Sequence, residues 1–122
     1  MGWDANLTVN VDGHDIDIPN CDWNYTHNLN HAIVAALGNP DVGTYWVKNL
    51  GGRWWDLINN KKAGECIHVF DTVIKEFTEN KELYIQYEPD NGWGDLETLT
   101  KELEGMRNAA NKYPSAIWRV YG

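Results

Sequence analysis

The sequence predicts an α+β domain. An N-terminal β-hairpin and a C-terminal strand form a small antiparallel sheet, and about three helices pack on it. Three observations carry this: apolar–polar alternation over residues 3–18, apolar stripes at three- and four-residue steps later in the chain, and a short β-type segment at the end. The chain has 122 residues, 43% of them apolar, which is the size of a single domain covering 1–122.

Over residues 3–11, Trp3, Ala5, Leu7, Val9 and Val11 fall on one face, the mark of a half-buried strand. Asp12-Gly13 is a hairpin signal, because glycine readily takes the positive φ of a type I′ turn. The return strand, His14 to Ile18, sets Ile16 and Ile18 on the inner face, and Pro19 ends it. Residues 19–28 read as a polar connection holding Cys21, Trp23 and Tyr25.

A helix begins near Leu29, with Leu29, Ile33 and Leu37 on one side. Thr26 or Asn28 caps it, and Gly38-Asn39-Pro40 stops it. Residues 38–60 carry glycines at 38, 43, 51 and 52 and several aromatics without a clean period, and read as a structured loop with room for one short strand or helical turn.

The second helix, about 61–79, has a clear stripe of Ala63, Cys66, Ile67, Phe70, Val73, Ile74 and Phe77, with Asn60 as its cap. Lys81 to Tyr87 fits a strand through Leu83, Ile85 and Tyr87 or a helix through Leu83, Tyr84 and Tyr87, and the helical turn is preferred. Pro89-Asp90-Asn91-Gly92 breaks it. The third helix starts near Asp95, whose carboxylate caps the first turn, and carries Leu96, Leu99, Leu103, Met106, Ala110 and Tyr113 until Pro114 ends it. Ala116 to Tyr121 is the closing strand.

With 10 Lys+Arg against 18 Asp+Glu, the formal charge of −8 excludes a general binder of long nucleic acid. No apolar run approaches the ~18 residues of a membrane span, and the first residues lack a basic, then apolar, secretory pattern. A cytoplasmic protein without membrane contact is therefore expected. Cys21 and Cys66 are expected as free thiols, and no metal or cofactor is implied.

The chain holds 7 Trp, only 2 Phe and 14 Asn, a mixture suited to a flat, polar ligand. Three stretches concentrate these residues. Asn24-Tyr25-Thr26-His27-Asn28 opens a helix, where unpaired amides attract anions; Thr26, His27 and Asn28 are its candidate ligand contacts, although capping alone accounts for one of them. In Gly51-Gly52-Arg53-Trp54-Trp55, adjacent indoles point in different directions, so one is core and the other lies at the surface or in a cleft. Arg53 and Trp54 are the candidates there. In Asn91-Gly92-Trp93-Gly94, flanking glycines let an indole project from a turn, which adds Asn91 and Trp93; anchoring in the core is the alternative.

Asn24-x-Thr26-His27-Asn28-Leu29 followed by Asn91-Gly92-Trp93-Gly94 at a late amphipathic helix resembles a family of small proteins common in tailed phages and some bacteria. The opening hairpin and the closing Pro114-x-Ala116-x-x-x-Val120 strand extend the resemblance over nearly the whole chain, with 38–62 departing most. The family has no established reaction; its phage context implies an accessory, anti-defence role.

The net charge does not forbid a phosphorylated small ligand. Eight charges at ~20 Å, screened over ~8 Å, sum to roughly 0.1–0.2 kcal/mol, whereas one cation at ~4 Å with an effective dielectric near 20 gives about 4 kcal/mol before desolvation. Arg53, Lys62, Arg107 or Arg119 could supply that cation. Base stacking on an indole adds about 1–3 kcal/mol. The leading expectation is a protein that binds, and sequesters, a small nucleotide-derived signal. The alternatives are an acidic, aromatic-patch inhibitor of a host protein and a small enzyme using His27 beside Asp22 or Asp56. No nucleophile elbow, zinc-protease, Walker or dinucleotide motif is present, so binding is preferred over catalysis. The wealth of indole surface further predicts a homo-oligomer.

Overall fold

The computed structural model describes residues 2–38 and 53–122. The loop expected over 38–60 falls largely outside the described residues, as do Gly51 and Gly52. The elements are β1 (Gly2–Val11), β2 (His14–Thr26), a 3₁₀ turn (His27–Leu29), α1 (Asn30–Leu37), 3₁₀ turns at Trp54–Leu57 and Ala63–Cys66, α2 (Ile67–Glu79), α3 (Lys81–Tyr84), a 3₁₀ turn (Ile85–Tyr87), α4 (Leu96–Lys112) and β3 (Ile117–Tyr121). The sheet is three-stranded and antiparallel in the order β2-β1-β3, so the mixed α+β class and the hairpin-plus-terminal-strand sheet hold. No helix among the described residues is long and apolar enough to cross a membrane.

β1 is central, and its alternation sends Trp3, Ala5 and Leu7 inward beside Trp118 and Val120 of β3. The helices cover this inner face: α2 packs on α1 and α4, and α4 lies along β2. Burial of the α2 stripe Val69, Phe70, Val73, Ile74 and Phe77 and the α4 stripe Leu96, Leu99, Leu103, Met106 and Ala110 follows the predicted faces. Asp12 and Gly13 both take positive φ, 51° and 84°, as a type I′ turn requires.

Pro19 does not end the return strand. β2 runs on to Thr26, so most of the expected polar connection is strand. The register passes from Asn6↔Asp22 to Thr8↔Asp17, which leaves Ile18, Pro19, Asn20 and Cys21 opposite Leu7 alone. This irregularity absorbs the proline and an Asn20 with φ of 63°, and it turns Cys21 into the core.

Beyond the bulge the hairpin extends past β3, which begins opposite Thr8. Val9, Val11 and Ile16 on that end of the ribbon are exposed and not on a buried face. The 61–79 helix is also divided: a 3₁₀ turn at Ala63–Cys66 precedes α2, with no side-chain cap from Asn60. Asn60 instead has a φ of 66° and accepts a hydrogen bond from Arg119.

Candidate functional site

The two motifs from opposite ends of the chain meet. Thr26 closes β2, and its Oγ1 accepts from the Asn28 amide at 3.3 Å, which caps the following 3₁₀ turn. Asn28 Nδ2 in turn donates to the Trp93 carbonyl at 3.1 Å. Asn91 Oδ1 accepts from the Trp93 amide at 2.9 Å, an Asx turn that leaves Gly92 at a φ of 76°. Gly94, at a φ of 110°, lies so close to β2 that a Cβ there would stand 2.7 Å from Thr26 Cγ2. The Tyr25 hydroxyl clamps the next residue, donating to the Asp95 carbonyl and accepting from the Asp95 amide, each at 2.8 Å.

Asp95 begins α4. Its Oδ1 accepts from the Thr98 amide at 2.8 Å and its Oδ2 from the Thr98 hydroxyl at 2.9 Å. The carboxylate is thus engaged in capping, as expected from the sequence. Glu88 adds a second cap by accepting from the Leu96 amide at 2.9 Å.

Between this clamped turn and the ends of β1 and β2 lies an open cleft of about 560 Å³, lined among others by Asp4, Asn24, Thr26, Trp93, Asp95 and Thr98. Its size suits a nucleoside-sized molecule. Gly2 forms part of the wall, where a Cβ would collide with the Tyr25 carbonyl oxygen. Trp93 is 69% exposed while its backbone is pinned on both sides, so an apolar ring is offered to solvent from an anchored turn at the rim of the cleft.

The predicted site residues separate into two groups. Thr26 and Trp93 line the cleft, and Asn28 and Asn91 hold the Trp93 backbone without lining it. Trp54 and Arg53 are elsewhere. Trp54 is 1% exposed and Trp55 5%, so both adjacent indoles are core, and the expectation that one faces a cleft is corrected. A 3₁₀ turn permits this because Trp3 meets Trp54 edge-on, with centroids 5.2 Å apart, while Trp55 stacks on His27 at 5.7 Å. Arg53 lies over Trp55, with its guanidinium carbon 5.9 Å from the ring centroid, and pairs with Asp56 at 3.3 Å.

His27 is committed to the Trp55 stack, and its Nε2 is buried without a hydrogen-bond partner. Among the described residues no bond joins it to Asp22 or Asp56. No group of three or more His, Cys, Asp or Glu among the described residues is placed to hold a metal ion.

The cations named from the sequence are likewise absent from the lining. Arg107 faces Asp71 at 3.5 Å, Arg119 binds Asp15 at 2.8 Å, and Arg53 faces Asp56. Among the described residues the charged ones lining the cleft are Asp4 and Asp95, both acidic. A phosphate about 5 Å from one such carboxylate would meet roughly 1–3 kcal/mol of repulsion, depending on exposure. Sequence reading missed Asp4, which looks like an ordinary outward residue of a strand, and set Asn24 in a polar stretch before the helix without choosing it as a contact; only the register, Asp4↔Asn24, places them side by side. No protein-family model matches the chain, and no curated protein or solved structure matches it.

Proposed function

We propose that this protein binds a small nucleobase-bearing molecule, with the base in the cleft against Trp93 and any phosphate directed to solvent. The observation that carries this reading is the exposed Trp93 indole, on a backbone anchored by Asn28 and Asn91, at the rim of a cleft with hydrogen-bonding walls. A base stacking on an exposed indole contributes about 1–3 kcal/mol, and the anchored backbone beneath it spares the cost of ordering the turn. Asn24, Thr26 and Asp4 provide both donors and acceptors for a base edge. The accessory, anti-defence role implied by the phage-family resemblance belongs to the same proposal, with the ligand sequestered. Binding without turnover fits a His27 engaged in stacking.

The test is calorimetric titration with nucleosides and with linear and cyclic nucleotides, followed by chromatography of the recovered ligand. The proposal predicts saturable binding, lost in Trp93→Ala, with the ligand recovered unchanged. Absence of heat with every compound at millimolar concentration would remove it.

A second reading, contact with a protein partner or another copy, is favoured by the exposed Val9, Val11 and Ile16 on the hairpin ribbon. Light scattering on the purified protein and on Ile16→Lys tests it. Self-association that the substitution abolishes supports it.

A further inference from the structure

Asp4 and Asn24 are register partners on the outward face of β1 and β2, and both line the cleft. Directly opposed residues of an antiparallel pair hold their Cβ atoms roughly 4.5–5.5 Å apart, close enough for two side chains to meet one ring edge. Among the described residues neither side chain has a hydrogen bond or ion pair, in contrast to Asp95, whose two carboxylate oxygens are taken by Thr98. The cleft therefore presents one free carboxylate beside one free amide, with an indole at the rim.

We propose that this pair selects a guanine-type base. A carboxylate only accepts, and it accepts two parallel N–H bonds best. The guanine edge offers such a pair, N1–H and the 2-amino group, and beside them the O6 acceptor, which matches the Asn24 amide N–H. Adenine is mismatched, because its N1 lone pair would face the Asp4 carboxylate. Hypoxanthine keeps N1–H and O6 but lacks the 2-amino donor. Recognition needs no cation, in keeping with a cleft whose charged residues are both acidic. The inference rests on the nucleobase reading of the cleft and specifies which base.

Calorimetry with guanosine, inosine, adenosine and ethylguanidinium, on the intact protein and on Asp4→Asn, Asn24→Ala and Trp93→Ala, tests it. Guanosine should bind at least about tenfold more tightly than inosine or adenosine, since a site built around a donor rejects analogues that lack it. Asp4→Asn should remove about tenfold of guanosine affinity without weakening adenosine, because only the guanine edge donates to that carboxylate. Circular dichroism of each variant establishes that it is folded. Binding that depends on Trp93 but shows no preference for guanosine, or survives Asp4→Asn undiminished, would overturn this inference and leave the nucleobase reading standing. Ethylguanidinium binding alone, or no binding by any compound, would overturn both.

Discussion

Tyr25 and Asp95, 70 residues apart, are joined twice: one hydroxyl donates to the Asp95 carbonyl and accepts from its amide, both at 2.8 Å. The end of β2 is thereby fixed to the start of α4. Because Trp93 lies just before Asp95 and is tied to Asn28, the same clamp sets where its backbone stands at the rim of the cleft. Removing the hydroxyl tests the clamp. Tyr25→Phe should cost about 1–3 kcal/mol, seen as a Tm lower by roughly 4–10 °C, and it should weaken ligand binding although the ring remains.

The two glycines around Trp93 should respond differently to alanine. Gly94 has a φ of 110° and faces Thr26 Cγ2 at 2.7 Å, whereas Gly92, at 76°, has nothing within 4 Å of an added Cβ. Gly92→Ala should cost only the backbone penalty, about 1 kcal/mol. Gly94→Ala adds a collision with β2 and should cost about 2–4 kcal/mol. Chemical denaturation of the two variants side by side checks the order.

Burial raises the pKa of Glu102 on α4 above its ordinary 4.5. A carboxyl with a raised folded-state pKa favours the folded state when protonated, and that contribution is lost as pH rises from the unfolded value through the folded one. Glu102→Gln, which stays neutral, should therefore raise Tm at pH 7 by about 1–3 °C. Near pH 3.5 it should leave Tm unchanged. Thermal melts at the two pH values read the difference directly.

Cys21 and Cys66 are both free and buried. Burial pushes the Cys66 thiol up to about 11 and raises that of Cys21. At pH 8 only about one Cys66 in a thousand is thiolate, and access is blocked as well. The folded protein should not react with a disulfide reagent over minutes, and both thiols should titrate at once in denaturant. Rapid labelling of the folded protein would contradict the placement of these side chains in the core.

Much of the architecture was legible because periodicity reports burial. The stripes of α2 and α4, the Asp12-Gly13 turn and the Asp95 cap all depend on near neighbours in sequence, and local chemistry decides them. What failed depended on distant contacts. Pro19 is tolerated within β2 because the register slips opposite Leu7, and Val9 is exposed where the hairpin runs on past Ile117, the first residue of β3. The site follows the same division. Thr26 and Trp93 stand in conspicuous local motifs and do line the cleft, whereas Trp54 belongs to the core because Trp3 lies against it. Asp4 carries no local signal, and Asn24 stands in the Thr26 motif without any sign of its partner; their pairing comes from the strand register.

On the proposed function, the cleft beside Trp93, and not the Arg53 bend, receives the ligand. Calorimetric titration of guanosine into Trp93→Ala and Arg53→Ala tests this most directly. Trp93 is largely exposed, so its removal should leave Tm within about 1–2 °C while lowering affinity at least about tenfold. Arg53→Ala should bind as the unaltered protein does. Undiminished binding by Trp93→Ala, or loss of binding in Arg53→Ala alone, would contradict the account.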